Sequence, residues 1–414
     1  VISATVAAAI DVIDGETASI MFASSIRRRI AVLRALAFAG VAALSACVSV
    51  PAMTGGQDGP VIDPSAPVQV ALLVPSGSAQ AGDALIATSL ENAARLAVAD
   101  LQGVQIDLRI YATAADPAQA GTAAAIAVAD GAKIILGPLL ADEVIQAGLA
   151  TAGSGVNILA FTNNPTVAGG NTFILGPTFR NTADRLVRYG QRNGIQRYMI
   201  VHAQDIGGTV GRDAIAAAVT ANGATLAGVQ DYPFSQTDIL AAAPGIVAAA
   251  NAAGAQAIFT TATVAGDLPI LVTALPEAGL NTAATRIFGV TRWDSLPQAM
   301  ELPGLQGGLF ALPDQQLSQM FESRYAAAYG TTPHQLAGLA YDGIAAIGAL
   351  VARRDSAALG RASLTQGQGF MGTSGIFRLL PDGTNERGLA VAEVRDKRIV
   401  VLEPAPRGFG GAGF

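Results

Sequence analysis

From Val68 onward the sequence alternates short apolar runs with longer amphipathic ones, and this alternation leaves few folds open. Residues 68–74 form a continuous apolar run of the kind found in a buried strand. In the following stretch Leu85, Leu90, Ala93, Ala94, Leu96 and Ala97 fall along one face of a helix predicted over 85–101. Val104, Ile106, Leu108 and Ile110 then alternate with polar residues, as a half-buried strand requires. The pattern continues with a helix over 117–130, a strand over 133–136, a helix over 142–152 and a strand over 156–161. A second set places helices over 182–192, 212–222 and 239–253 and strands over 197–201, 225–229 and 257–260. Strands separated by helices of this length pair in parallel through crossovers rather than as hairpins. The expected fold class is therefore α/β, with two doubly wound, Rossmann-like lobes, for which the chain is amply long.

Open sheets of this kind bind ligands outside the carboxyl ends of their strands. The segments that follow the predicted strands nominate the cleft residues: Ser76 and Gly77, Leu139 and Ala141, Thr162 and Asn163, Asp205 and Ile206, Thr261, and Arg292 with Trp293. Trp293, the sole tryptophan, admits two readings, a ring that packs on a ligand or reports closure and a plain hinge-packing residue. Arg292 likewise either meets an anionic ligand group or pairs with its neighbour Asp294.

The N-terminal segment carries a different signal. Arg27, Arg28 and Arg29 open an apolar stretch that closes on Leu44-Ser45-Ala46-Cys47, the layout of a secretory signal. Arg34 leaves only residues 35–46 free of charge, short of the roughly 20 that a spanning helix needs. Those four residues resemble the lipobox of bacterial lipoproteins, which implies lipid attachment at Cys47, the only cysteine. Asp11, Asp14 and Glu16 do not suit a basic leader, so Met21 is the expected start, with residues 1–46 an untranslated leader plus signal peptide. By the same resemblance Val48, in place of Asp, implies the periplasmic face of the outer membrane of a Gram-negative cell. Pro51, Gly55, Gly56, Pro60, Pro64 and Pro67 make residues 47–67 a flexible tether, and 404–414 reads as a loose tail.

Val70-Ala71-Leu72-Leu73-Val74-Pro75-Ser76-Gly77 and Ile134-Ile135-Leu136-Gly137-Pro138 resemble the type I periplasmic binding proteins of the leucine/isoleucine/valine-binding group. Ala340-Tyr341-Asp342-Gly343 and the stretch from Gly372 to Phe377 before Asp382-Gly383 extend the resemblance over residues 68–403. It implies three hinge crossovers near Pro177, Arg292 and Gln368, with 68–177 and 293–367 as one lobe and 178–292 and 368–403 as the other. It also implies a hydroxyl residue gripping a ligand carboxylate a few positions after Gly-Pro, where this chain has Ala141. An aromatic residue is implied after the first strand of the second lobe, where the chain has Asp205-Ile206-Gly207-Gly208, while Thr162 and Ser76 keep polar groups in place. That departure resembles the branch of lipoproteins called penicillin-binding protein activators, which implies a peptidoglycan synthase as partner. The alternative is the solute receptor of an ABC importer, with an ABC permease as partner and a branched-chain amino acid, an amide or a related small polar molecule in the cleft.

Other chemistries find little support. The net charge of -6 offers no basic stripe for nucleic acid. His202 and His334 are the only histidines and lie far apart, so neither a catalytic triad nor a histidine-rich metal site is expected, although His202 ends a strand near Asp205. No nucleotide-binding glycine loop occurs, and no cofactor is expected. Asp142 and Glu143 stand at the start of a predicted helix, where carboxylates complement the helix dipole.

Overall fold

The computed structural model describes residues 59–410. The expected leader, the signal peptide, the lipid site at Cys47 and the tether up to residue 58 lie outside the described residues, as do 411–414.

Five strands build the first sheet: β1 (Val68–Val74), β2 (Ile106–Ala112), β3 (Ile134–Leu136), β4 (Asn157–Ala160) and β5 (Thr172–Ile174). They run parallel in the order β2-β1-β3-β4-β5, so the order reverses between β1 and β3, the switch point at which open sheets of this kind bind ligands. Between them run α1 (Asp83–Asp100), α2 (Pro117–Ala129) and α3 (Ala141–Thr151). The apolar face of α1, with Leu90, Ala93, Ala94 and Ala97, is buried in the core beside β1, as its spacing demands.

The chain then enters the second lobe through α4 (Phe179–Arg192), β6 (Arg197–Ala203), α5 (Ile206–Ala221) and β7 (Thr225–Tyr232). It continues with α6 (Gln236–Ala252), β8 (Ala257–Thr260), α7 (Leu268–Glu277), β9 (Arg286–Gly289) and, after several short 3-10 turns, β10 (Leu309–Leu312). Two helices, α8 (Gln315–Tyr329) and α9 (Ala337–Val351), return to the first lobe and bury Tyr325, Ala340, Ile344 and Ile347 in its core. After the short α10 (Arg361–Leu364), the strands β11 (Phe370–Gly372), β12 (Gly375–Leu379) and β13 (Asn385–Arg387) form a small antiparallel sheet. The chain finishes with β14 (Ala390–Arg395) and β15 (Arg398–Glu403), which complete a second sheet in the order β15-β14-β10-β9-β8-β6-β7. The architecture is thus α/β with two doubly wound lobes, as the alternation of apolar runs implies.

The lobe boundaries differ from those expected at two of the three crossings. Residues 293–312 belong to the second lobe, not the first: Leu309 and Phe310 pair with Phe288 and Gly289 of β9, and Trp293 lies in the second core. Residues 370–387 are not part of the second sheet, because Phe370, Phe377 and Leu379 bury their side chains in the first core. The crossings therefore fall at 175–178, 312–315 and 387–390 rather than at Arg292 and Gln368 for the second and third.

Both ends are also more tightly held than their composition suggests. Ile62 is buried in the first core and its N–H donates to Ser356 O at 2.9 Å, so the segment before Pro67 is held by the first lobe at Ile62 and is not a free tether there. In the tail, Ala405 packs in the second core and the Arg378 guanidinium lies 4.4 Å from the centre of the Phe409 ring. One or two apolar side chains suffice to pin a proline-rich segment when a core groove receives them.

Candidate functional site

In the first lobe three loops stand at the strand ends. The loop after β1 exposes Gly77 and half-buries Ser76, whose carbonyl accepts the Ala114 N–H at 3.0 Å. Ala114 and Ala115 both hold left-handed backbone, with φ of 53° and 56°, a conformation that costs about 1–3 kcal/mol for each side-chain-bearing residue. Behind them Thr113 donates its hydroxyl to Val74 O at 3.2 Å, and Asp116 caps α2 by accepting the Gln119 N–H at 2.8 Å. After β3, Gly137 turns with φ of 84° where an added Cβ would run into Leu73 O, so only glycine fits. Leu139 and Ala141 follow, both half-buried.

Beneath that loop Glu143 is 0% exposed and accepts the Leu140 N–H at 3.0 Å through Oε2. It is the helix-capping carboxylate that its position implies, and burial pushes its carboxyl above the ordinary range against the pull of that hydrogen bond. After β4, Thr162 is buried, its Oγ1 accepting the Asn164 N–H at 3.2 Å, while Asn163 faces outward.

The second lobe assigns its predicted residues differently. Asp205 is the N-cap of α5, its Oδ1 accepting the Gly208 N–H at 2.5 Å, so this helix starts six residues before its predicted beginning at Arg212. Ile206 opens the helix with 85% of its surface exposed. Thr261 is not a cleft residue: it is buried under α5, where a Cβ on Gly211 would come within 2.6 Å of its Cγ2. Arg292 pairs with Asp294, Nε to Oδ1 at 2.6 Å, the second of its two sequence readings.

Trp293 is 0% exposed and stacks on Phe310 at 5.3 Å between ring centres. It is a core residue of the second lobe and lines no cleft. The ring lies against Gly289 at the end of β9 and Gly308 before β10, where added Cβ atoms would come 2.5 Å from Nε1 and 2.9 Å from Cζ3.

A cavity of about 700 Å³ lies between the lobes. One wall comes from the first lobe, with Asn163, Asn164, Pro165 and Thr166 after β4 and the turn between β12 and β13. The other comes from the second lobe, with Phe179, Arg180, Asp184 and Arg188 on α4 and Gly207, Val210 and Ala214 on α5. Thr178 and Asn181 set the start of α4: Thr178 Oγ1 accepts the Asn181 N–H at 3.3 Å and Asn181 Oδ1 accepts the Thr178 N–H at 2.8 Å.

Buried polar groups fix this cavity at the crossings. Asn385 donates to Ile174 O and Gly176 O at 2.8 and 2.9 Å, and its own carbonyl accepts from Asn181 Nδ2 at 2.8 Å. Arg185 donates Nε to Leu389 O at 2.6 Å and pairs with Glu403 at 2.8 Å. Arg387 donates to Leu175 O and to Ser374 Oγ, and lies 3.9 Å from the buried carboxylate of Asp342. One arginine thus joins the first crossing to the third, and Ser374, whose carbonyl accepts the Asp314 N–H at 2.9 Å, connects it to the second.

Of the residues nominated from sequence, Asn163 alone lines the cavity, and Gly207, next to Ile206, borders it. The residues that reasoning from strand ends missed are Arg180, Arg188, Asn385 and Arg387. The i, i+4, i+8 spacing of Arg180, Asp184 and Arg188 just after the first crossing is the signal that points to the two on α4. His202 is buried with Nδ1 2.9 Å from Ala203 O, and Asp205 is engaged at its cap, so the two form no catalytic pair. Among the described residues no group of three or more His, Cys, Asp or Glu side chains is placed to hold a metal ion, and no helix is long and apolar enough to cross a membrane.

Residues 67–398 match the protein family described as periplasmic binding protein. No curated protein matches the chain. Among solved structures, it is similar to an ABC transporter substrate-binding protein from Sphaerobacter thermophilus, with a TM-score of 0.62, 18% identity, and coverage of 83% of this chain and 98% of that one. It is also similar to a substrate-binding protein of an ABC transporter from Desulfitobacterium hafniense in complex with Leu, with a TM-score of 0.57, 19% identity, and coverage of 81% and 100%. A third is a solute-binding protein of an ABC transporter from Rhodopseudomonas palustris in complex with 3,4-dihydroxy benzoic acid, with a TM-score of 0.52, 17% identity, and coverage of 82% and 98%. At these identities the likeness is one of fold.

Proposed function

The chain belongs to the periplasmic binding protein family, and from that premise we propose that it is a periplasmic solute receptor that closes two lobes on a small polar molecule and does no chemistry on it. The observation that carries this reading is the cavity of about 700 Å³ walled by both lobes beside their crossings, within the 300–1,000 Å³ range of small-ligand sites. A ligand that touches Asn163 on one wall and α4 or α5 on the other stabilises the closed arrangement by its differential affinity for it. The neighbours bound to Leu and to 3,4-dihydroxy benzoic acid support a small ligand and an ABC permease as the partner that receives it. Lipid attachment at Cys47 would hold such a receptor at a membrane surface. A screen of amino acids, amides and small acids by thermal shift, followed by small-angle scattering, tests the reading. A hit should raise the melting temperature and shrink the radius of gyration, and a ligand that binds without compaction argues against closure.

One observation favours the second reading, an activator of a peptidoglycan synthase. Ala141 has no donor and Ile206 is almost fully exposed, so two positions where a zwitterion clamp is implied are apolar. Co-purification with a bifunctional synthase, lost on Ile206→Asp, would support that role, and intact binding by that variant would count against this surface.

A further inference from the structure

We propose that the inter-lobe cavity takes a small organic acid, with its carboxylate held by Arg188 of α4; this rests on the solute-receptor reading and names its ligand class. The argument starts from how the charges along the cavity are partnered. Arg180 is paired with Asp184 at 2.6 Å, Arg185 with Glu403 at 2.8 Å, and Arg387 faces Asp342 at 3.9 Å. Arg188 has no carboxylate within ion-pair distance among the described residues, and its hydrogen bond runs from Nε to the amide oxygen of Asn222 at 3.1 Å.

The carboxylates that border the cavity are engaged elsewhere. Asp213 pairs with Arg212 at 2.7 Å, Glu386 accepts from Arg378 Nε at 2.6 Å, and Asp382 accepts the Thr384 N–H and hydroxyl at 2.8 and 2.6 Å. Asp184, besides Arg180, accepts from Asn222 Nδ2 at 3.0 Å. A cation is therefore left over at the wall of a cavity lined largely by apolar atoms.

A second observation points the same way. Arg185, buried along the same wall, keeps its Nη1 without an acceptor among the described residues. Burial lowers its grip on the proton, Glu403 opposes this, and the charges of Arg192 and Arg188 add to the lowering, so an anion here relieves a repulsion already present.

The apolar lining of the cavity sets the rest of the ligand. Val210 and Ala214 on α5 and Phe179 on α4, on the same wall as Arg188, and Pro165 and Leu380 on the first-lobe wall line the cavity with apolar side chains. A guanidinium fork matches a carboxylate through two parallel N–H bonds, whereas tetrahedral phosphate has no apolar part for that lining. An acid with one carboxylate and a compact apolar body fits both surfaces.

Calorimetry on the folded full-length protein tests this with benzoate, 3-methylbutanoate, benzamide, leucine and inorganic phosphate. The carboxylates should bind, benzamide should bind about ten- to hundredfold more weakly than benzoate, and Arg188→Gln should weaken benzoate by a similar factor, the loss of one charge-assisted contact. Arg188→Lys should recover part of the loss, and Ala214→Trp, which fills the apolar wall without touching the charge, should also weaken binding; melting curves establish that each variant is folded. Benzoate binding equally to Arg188→Gln, or phosphate binding as well as benzoate, overturns the assignment. If leucine or benzamide binds tightly and Arg188→Gln is without effect, the receptor reading stands and this inference falls. If nothing in the panel binds at millimolar concentration the inference also falls, and the receptor reading then rests on the wider solute screen.

Discussion

Replacing Arg387 with methionine should destabilise the folded protein by about 3–5 kcal/mol, because it strands a buried carboxylate. Asp342 is 1% exposed and Arg387 6%, and at 3.9 Å their attraction is worth about 4 kcal/mol at an effective dielectric constant near 20. Without the guanidinium, Asp342 keeps only the support of Thr373, whose N–H it accepts at 2.6 Å. The complementary Asp342→Asn leaves a buried guanidinium unpaired and should cost a similar amount. The double variant carries neither charge and should sit about 2–4 kcal/mol above the sum of the two losses.

Urea unfolding followed by circular dichroism measures all three variants. Burial holds Asp342 above the ordinary aspartate range, with Arg387 opposing, so the native state binds this proton more tightly than the unfolded chain. Its contribution is present in full below the unfolded value and is lost as pH rises through the folded one. In Arg387→Met the carboxyl climbs further, so the deficit should shrink as pH falls from 7 toward 5. Additivity of the two single losses to within about 0.5 kcal/mol, or a deficit that does not change with pH, would refute the reasoning.

Other consequences follow from particular residues. Gly289→Ala should force the Trp293 ring off Phe310 and cost about 1–3 kcal/mol, read as a lowered melting temperature with reduced near-ultraviolet dichroism. Glu143→Gln should be neutral or stabilising at pH 7: the raised Glu143 carboxyl gives stability that is full below the ordinary glutamate value and lost as pH rises through the folded one. The variant should therefore flatten the pH dependence of stability above that value, and an unchanged slope would contradict it. Trp293 fluorescence should be that of a buried indole and should not move when ligand is added, since the ring lies in one lobe's core; a ligand-dependent shift would place it nearer the cleft than its packing allows.

The periodicity of apolar residues made the layered α/β fold legible, because a strand run such as 68–74 and a helix face such as that of α1 each bury the side chains their spacing puts inward. Lobe membership was not legible in the later half. The run at β10 is as apolar as a strand of either sheet, and only tertiary pairing with β9 and β14 assigns it. The start of α5 was hidden by Gly207 and Gly208, poor helix formers that the Asp205 cap tolerates in the first turn. Reading strand-end loops reached Asn163, yet the cavity takes its charge from the flank of α4, which that reading does not consider. Trp293 drew attention as a lone aromatic at a strand end, and the two glycines that make room for it inside the core were not read together with it.

The central claim, that two lobes share one small ligand, is tested most directly by a high-resolution crystal structure of the protein purified without refolding and crystallised with millimolar benzoate. The account predicts density for a small molecule in the cavity, touching Asn163 or its neighbours on one side and α4 at Arg188 on the other. Density confined to one lobe's surface would contradict it, and an empty cavity under those conditions would overturn the carboxylate assignment.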